Sequence, residues 1–327
     1  MFSCPKKLVV KQQDREIYQT NETQGLYLYP LTLKDYVDNL NDKKPIKLDL
    51  LELDNNVDYE KKFNHQYLNN LMCIELNIEN KKDLPIVERI INIKENVKVS
   101  LNIKNLNCLS LKDLELLSPK VDYFKIYWNY NDYDKFLKRI KCINKYKKNS
   151  CLVHVKSYLN LEEINNYEKY IKDFNNMVDV YQLSKELIPL NTTNVKVDEK
   201  IEKTIRYLEE KYSGDGITFI SVKNLKELYY PRFELDERNS RVCYACYLKP
   251  YLYKDTIIPC KVREKLNNMD EWGTKDFNDF SNFKKCGLQC DDCASIYEND
   301  KLNEINNIIK EYKDIETIME EERWYYF

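Results

Sequence analysis

Between residues 45 and 225, short apolar runs alternate with amphipathic stretches of 9 to 16 residues, and this alternation constrains the fold more than any other feature. "IKLDLLEL" (46–53), "MCIELNI" (72–78) and "VKVSLNI" (97–103) read as strands, as do "VDYFKIYW" (121–128), "CLVHVKSYL" (151–159), "MVDVYQLS" (177–184) and "GITFISV" (216–222). The intervening segments repeat apolar residues at helical spacing, for example Leu84, Val87, Ile90 and Ile91. Ser110 is placed to cap "LKDLELL", Asn160 to cap the stretch that follows it, and two further helices are expected in "YDKFLKRIKCINKYK" and "DEKIEKTIRYLEEKY". Strands separated by helices of this length are joined as right-handed parallel βαβ units. The expected fold class is therefore α/β, a partial or full (β/α) TIM-like barrel, with a doubly wound open sheet as the alternative because periodicity does not report closure.

The flanks differ. Residues 1–44, with "LVVKQ" and "GLYLYPL", read as an N-terminal extension of extra strands. The alternation stops at "YYPRFELDERNS" (229–240), a polar, turn-rich stretch taken as a domain boundary. The expected division is an extension (1–44), a barrel (45–228) and a small cysteine-rich domain (229–327) that closes with "DKLNEINNIIKEYKDIETIMEEE" as an amphipathic helix.

Composition removes several functional classes. A formal charge of −2 with both signs mixed along the chain gives no basic surface for nucleic acid. No apolar run approaches the length of a membrane helix, and the opening "MFSCPKKLVVKQQ" lacks the apolar core of a secretion signal. The expected compartment is the cytoplasm. Five glycines leave little room for a phosphate-cradling loop, and no Ser/His/Asp arrangement stands out. His154, between Val153 and Val155, is expected to face a barrel interior or to be hydrogen-bonded, and His65 carries less signal. The acidic groups Glu162/Glu163 and Glu320/Glu321/Glu322 read as solvated helix faces, and "RWYYF" as an aromatic tail packed on the barrel, with a partner-docking motif as the alternative.

Eleven cysteines divide unevenly. Cys4, Cys73, Cys108, Cys142 and Cys151 are scattered, the last four in or beside apolar periodic segments where a thiol acts as a small hydrophobe. The other six run Cys243-x2-Cys246-x13-Cys260-x25-Cys286-x3-Cys290-x2-Cys293. In a reducing compartment such clustering points to metal, and thiolates select zinc or iron–sulfur clusters over hard cations. "YLKPYLYKDTIIP" between the second and third cysteines reads as a β-hairpin around Lys254-Asp255 that delivers Cys260 beside Cys243 and Cys246. The two Cys-x2-Cys pairs equally suit a Zn²⁺ site.

The segment Cys243 to Cys260 resembles the opening of the SPASM or twitch extension of radical S-adenosylmethionine proteins. Asp255 stands where that family has Gly, four residues ending in Pro259 follow, and then Cys260. "EWGTKDFNDF" (271–280) is similar to the separator of the two halves, and Cys286, Cys290 and Cys293 match the closing cysteines. The βα units of residues 45–225 are similar in pattern to that family's barrel. The resemblance implies a [4Fe–4S] cluster held within Cys243, Cys246, Cys260, Cys286, Cys290 and Cys293, and a role in maturing peptides, with a peptide substrate or a maturase as partner.

Two departures stand out. No cysteine lies between Cys4 and Cys73, where the family places the C-x3-C-x2-C motif that cleaves S-adenosylmethionine. "NIEN" (77–80) stands where a Gly-Gly-Glu-Pro-like turn is expected, so Glu79 alone matches the acidic cofactor-binding position. The expectation is a degenerate, non-catalytic or diverged member. The alternatives are an active enzyme with unorthodox ligands, in which "CGLQCDDC" is a relocated catalytic motif, and a zinc-stabilised barrel of unrelated function.

Overall fold

The structure, a computed structural model, describes residues 3–20, 44–93, 97–158, 161–184, 199–212, 218–219, 249–258, 273–277, 304–308, 310–312 and 315–325, together with residues 38 and 42. The strands are β1 (Ser3–Gln12), β2 (Arg15–Thr20), β3 (Lys47–Glu52), β4 (Cys73–Ile78), β5 (Lys98–Ile103) and β6 (Tyr123–Tyr127). They continue as β7 (Leu152–Tyr158), β8 (Val180–Ser184), β9 (Thr218–Phe219), β10 (Tyr251–Tyr253), β11 (Thr256–Ile258) and β12 (Ile315–Tyr325). The helices are α1 (Tyr59–Phe63), α2 (Leu84–Ile93), α3 (Leu111–Leu117), α4 (Tyr133–Tyr146), α5 (Tyr167–Phe174) and α6 (Glu199–Tyr212).

The larger sheet has the order β11-β10-β3-β4-β5-β6-β7-β8-β9 and is mostly parallel. Its exception is the antiparallel hairpin β10–β11. The α/β class is thus as expected. Among the described residues the sheet does not close, since β11 and β9 remain its two edges, so a full TIM barrel is not formed by them. The chain divides into two compact units, Met1–Glu75 with Ile93–Lys98 and Tyr229–Phe327, and Leu76–Asn92 with Val99–Leu228.

In the first unit β1 and β2 form a hairpin whose turn places Gln13 at φ 54°, and β12 pairs with the other edge of β1, Val9 opposite Ile318. This corrects the expected terminal helix. Residues 304–308 are helical, but Ile315–Tyr325 is a strand. Three successive glutamates favour helix locally, yet a ladder along β1 satisfies a whole row of backbone groups and overrides that weak preference. The hairpin β10–β11 turns at Lys254-Asp255, as expected, with Lys254 taking the left-handed conformation at φ 50°. Lys62 of α1 fastens this turn: its Nζ donates to the carbonyls of Asp255 and Lys275, each at 3.0 Å, and pairs with Asp255 Oδ1 at 2.8 Å.

In the second unit the apolar face of the sheet meets the helices. Leu101, Phe124 and Val153 share one row across β5, β6 and β7, and Ile103, Ile126, Val155 and Tyr181 share the next, all buried. The helix starts follow from side-chain chemistry. Ser110 caps α3 with its Oγ on the Asp113 amide, and Asp113 returns the bond to the Ser110 amide at 2.8 Å. Burial pushes the Asp113 carboxyl upward, but the Ser110 bonds and Lys81 together outweigh it and hold the group below its ordinary value. α5 begins later than read from sequence: a 3₁₀ turn covers Leu161–Glu163 and the helix starts after Asn166, whose amide group donates to Glu163 Oε2. Residue 160 lies outside the described residues. Trp128, Phe136, Tyr170 and Phe174 pack as one aromatic cluster with centroids 4.8 to 5.5 Å from the Trp128 ring, and Phe174 meets Tyr181 edge-on at 5.0 Å.

Candidate functional site

Parallel strands place register partners on the same face. The face opposite the helices carries Ser100 and Tyr123 in one row of the second unit, Asn102, Lys125 and His154 in the next, and Tyr127, Lys156 and Gln182 in the third. This is a polar sheet face, and most of it is buried: Ser100, Tyr123, Asn102, His154 and Gln182 are all shielded from solvent. Burying polar groups costs free energy unless each finds a partner, and two pairs on this face bond to each other. Asn102 Nδ2 donates to Asn77 Oδ1 at 2.6 Å, and the Tyr123 hydroxyl bonds His154 Nδ1 at 2.7 Å. His154 is therefore buried and hydrogen-bonded, as its strand pattern implies.

The first unit holds a second buried polar group. Lys47 Nζ lies 2.9 Å from Glu75 Oε2 and 3.0 Å from Asp49 Oδ1. Burial opposes the charge of Lys47, but the carboxylates of Asp49 and Glu75 overcome that penalty and hold the ammonium well above its ordinary pKa. Cys73 lies beside this group, and burial drives its thiol upward, so it stays protonated. Burial likewise pushes Cys151 up to about 12. Cys108 and Cys142 are raised as well, by burial first and then by Asp83 and Glu115 respectively. These four are free thiols with the character of small apolar side chains.

At the carboxyl ends of β5 and β6 an open cavity of about 310 Å³ is lined by Lys104, Asn105, Asn107, Tyr127, Asn129 and Asn131 among others. Lys104 Nζ stands 4.3 Å from the centroid of the Tyr127 ring, and Lys156 Nζ stands 5.6 Å from the same centroid. The loop on its far wall is held in left-handed backbone at two non-glycine residues, Tyr130 (φ 68°) and Asp132 (φ 51°). A tyrosine there is uncommon and costs energy that surrounding contacts must over-determine. The Tyr130 hydroxyl donates to the Tyr158 carbonyl and meets the Tyr167 hydroxyl at 3.2 Å, while Trp128 Nε1 donates to the Asn131 carbonyl at 3.2 Å.

Of the residues singled out from sequence, Cys243, Cys246, Cys260, Cys286, Cys290 and Cys293 lie outside the described residues. Among the described residues no group of three or more His, Cys, Asp or Glu side chains is arranged to hold a metal ion. Glu79 is exposed at the carboxyl end of β4, and its amide and that of Asn80 both donate to Asp83 Oδ2 at 3.0 Å. One aspartate thus orders a turn where a double glycine is absent. The segment after β3 is likewise closed by its own side chains: Asp54 accepts from the Asn56 amide and Asp58 from the Lys61 amide. His65 accepts from the Tyr67 amide through Nδ1 and lies 5.6 Å from the Phe277 ring, a packing role. Sequence reasoning missed Lys47, Glu75, Asn77, Asn102 and Lys104. Lys47 in β3, Glu75 and Asn77 in β4 and Asn102 in β5 alternate with apolar residues, a pattern that a solvated strand face shares.

No helix among the described residues is long and apolar enough to cross a membrane. In comparisons with known proteins, no protein-family model and no curated protein matches the chain.

Proposed function

We propose that the protein is an iron–sulfur-cluster-binding, degenerate radical S-adenosylmethionine/SPASM-like protein that serves peptide maturation as a non-catalytic or diverged partner. On this reading the mostly parallel sheet is a partial (β/α) barrel. The observation that supports it best is the hairpin β10–β11. Its strands lie between Cys246 and Cys260 in the chain and pair antiparallel, Tyr251 opposite Ile258, so a hairpin stands where the cysteine spacing calls for one. A rigid hairpin presents thiolates before a metal arrives, and the soft donor set suits a [4Fe–4S] cluster, which would lend this small region folding free energy.

Protein purified without oxygen is expected to be brown, with about four iron and four sulfide per chain. Cys260→Ala or Cys290→Ala should remove most of both, whereas Cys142→Ala, which alters a helical thiol remote in sequence, should leave them unchanged. Stoichiometric zinc without sulfide would establish the zinc-stabilised alternative instead.

The segment after β3 offers no thiolate, so S-adenosylmethionine is not expected to be cleaved. Protein reduced with dithionite and given the cofactor should form no 5′-deoxyadenosine. Sustained formation that Cys290→Ala abolishes would assign an open-iron cluster to Cys286, Cys290 and Cys293 and make the protein an active enzyme.

A further inference from the structure

We propose that Lys62 is a positioning residue for the cysteine-rich region: its ammonium group clamps the turn of β10–β11 to the segment 273–277 and so holds together the two ends of the stretch that contains Cys260. The role rests on the metal-binding reading of the cysteines given above, and every contact that carries it lies within the first unit.

The base of the clamp is fixed first. α1 is short, yet Tyr59 and Phe63 are buried, Asp58 caps its start by accepting from the Lys61 amide, and the Tyr59 hydroxyl accepts from the Asp54 amide at 3.0 Å. Lys62 projects from this base with only 12% of its side chain exposed. An ammonium group has three N–H donors, and three acceptors meet it: the carbonyls of Asp255 and Lys275, each at 3.0 Å, and Asp255 Oδ1 at 2.8 Å. Bonds from a charged donor in a largely shielded place hold more strongly than neutral ones. The Asp255 carboxylate is 45% exposed and adds little, so the two carbonyls carry the grip.

What the clamp joins is set by the chain. Ile257 and Thr274 exchange backbone hydrogen bonds, 2.7 Å from the Ile257 amide and 3.0 Å from the Thr274 amide, so the stretch 258–273 leaves and returns at one place. Lys62 bridges the residues just outside that closure, Asp255 on one side and Lys275 on the other. Cys260 belongs to the closed stretch, and Cys286 follows it in sequence. The returning arm has a second anchor, because Phe277 is buried and its ring lies 5.6 Å from that of His65. Holding both ends of a loop together removes chain entropy that metal binding would otherwise have to overcome, so the cost falls on folding rather than on ligation. Two backbone bonds alone make a weak closure, and the ammonium adds a point of attachment that does not depend on strand pairing.

The test is the rate at which the full chain, purified without oxygen, loses its iron or zinc to an added chelator, read beside hydrogen exchange at the Ile257 and Thr274 amides. Lys62→Met keeps the length of the side chain and removes its donors, and should speed both metal loss and exchange at least about tenfold. Lys62→Arg keeps the charge but cannot aim three donors from one nitrogen, and should fall between Lys62→Met and the parent. Val10→Ala, which loosens the same unit at the buried face of β1, should leave both rates within about twofold of the parent. Metal held as firmly by folded Lys62→Met as by the parent would overturn the positioning role and leave the cluster reading standing. Equal acceleration by Val10→Ala would also overturn it, since Lys62 would then act through overall stability alone. An unaltered protein that carries neither iron nor zinc would remove the cluster reading and the positioning role together.

Discussion

Lys47→Met is expected to destabilise the first unit by about 3–5 kcal/mol, because it removes the cation that two largely buried carboxylates share. Lys47, Asp49 and Glu75 have side chains only 8, 14 and 6% exposed, and the ammonium lies within hydrogen-bond distance of both acids. The attraction of a buried pair roughly offsets the cost of desolvating it, so the intact group adds little stability. Removing the shared cation takes away the counter-charge that offsets that cost for both carboxylates. The pH dependence carries the sign. In the unaltered protein Lys47 is held above its ordinary pKa, so its contribution is complete at neutral pH and is lost only as pH rises through that elevated value. In Lys47→Met the stranded carboxylates bind protons more tightly folded than unfolded. The deficit relative to the parent should be smallest below about pH 4, the unfolded range for carboxylates, and should grow as pH rises. Urea unfolding at several pH values, with exchange of the β3 and β4 amides as the local probe, reads both quantities. A loss under about 1 kcal/mol, or a deficit that stays constant with pH, would mean that water already reaches Asp49 and Glu75.

Phe174→Ala should cost the second unit a similar amount, about 3–5 kcal/mol. Phe174 is fully buried, meets Trp128, Phe136 and Tyr181 with centroids 5.0 to 5.8 Å away, and sits on the helix face that covers the apolar rows of the sheet. Its removal leaves a cavity that three rings on different elements cannot jointly refill. Leu111→Ala, by contrast, changes a residue that is half exposed and should stay within about 0.5 kcal/mol. Thermal and urea unfolding of the two variants separates these outcomes, and equal effects would show that the aromatic cluster tolerates repacking.

Much of this architecture is readable from spacing alone. Period-two runs mark β3 to β8, helical periods mark α2, α3, α4 and α6, and Ser110 caps α3 through the hydroxyl that its sequence position offers. What spacing does not carry is partnership. "IETIMEEERWY" satisfies a helical pattern nearly as well as a strand pattern, and only its pairing with β1 decides between them. The start of α5 at Tyr167 depends on a 3₁₀ turn whose bond between Asn166 and Glu163 is a local choice with several rivals. The polar face is hidden for a different reason. In the second unit Asn102, Lys125 and His154 do not stand out in a chain rich in Lys and Asn, and share one face only through the register of β5, β6 and β7; in the first unit Lys47 and Glu75 look solvated until their burial is seen. The cavity follows the same logic, since Lys104 and Lys156 converge only through the rows that join β5, β6 and β7.

The sheet β12-β1-β2 sets a timing problem during synthesis. β1 leaves the ribosome before its partner β12, which lies roughly 300 residues later in the chain, and at 5–20 residues per second that is a wait of about 15–60 s. Through that interval β1 has β2 on one side and a row of unsatisfied N–H and C=O groups on the other. Translation speed, chaperone supply and temperature should therefore govern the yield of folded protein more strongly than they govern its stability once folded, and slowing elongation should lengthen the period in which nascent chains can pair with one another.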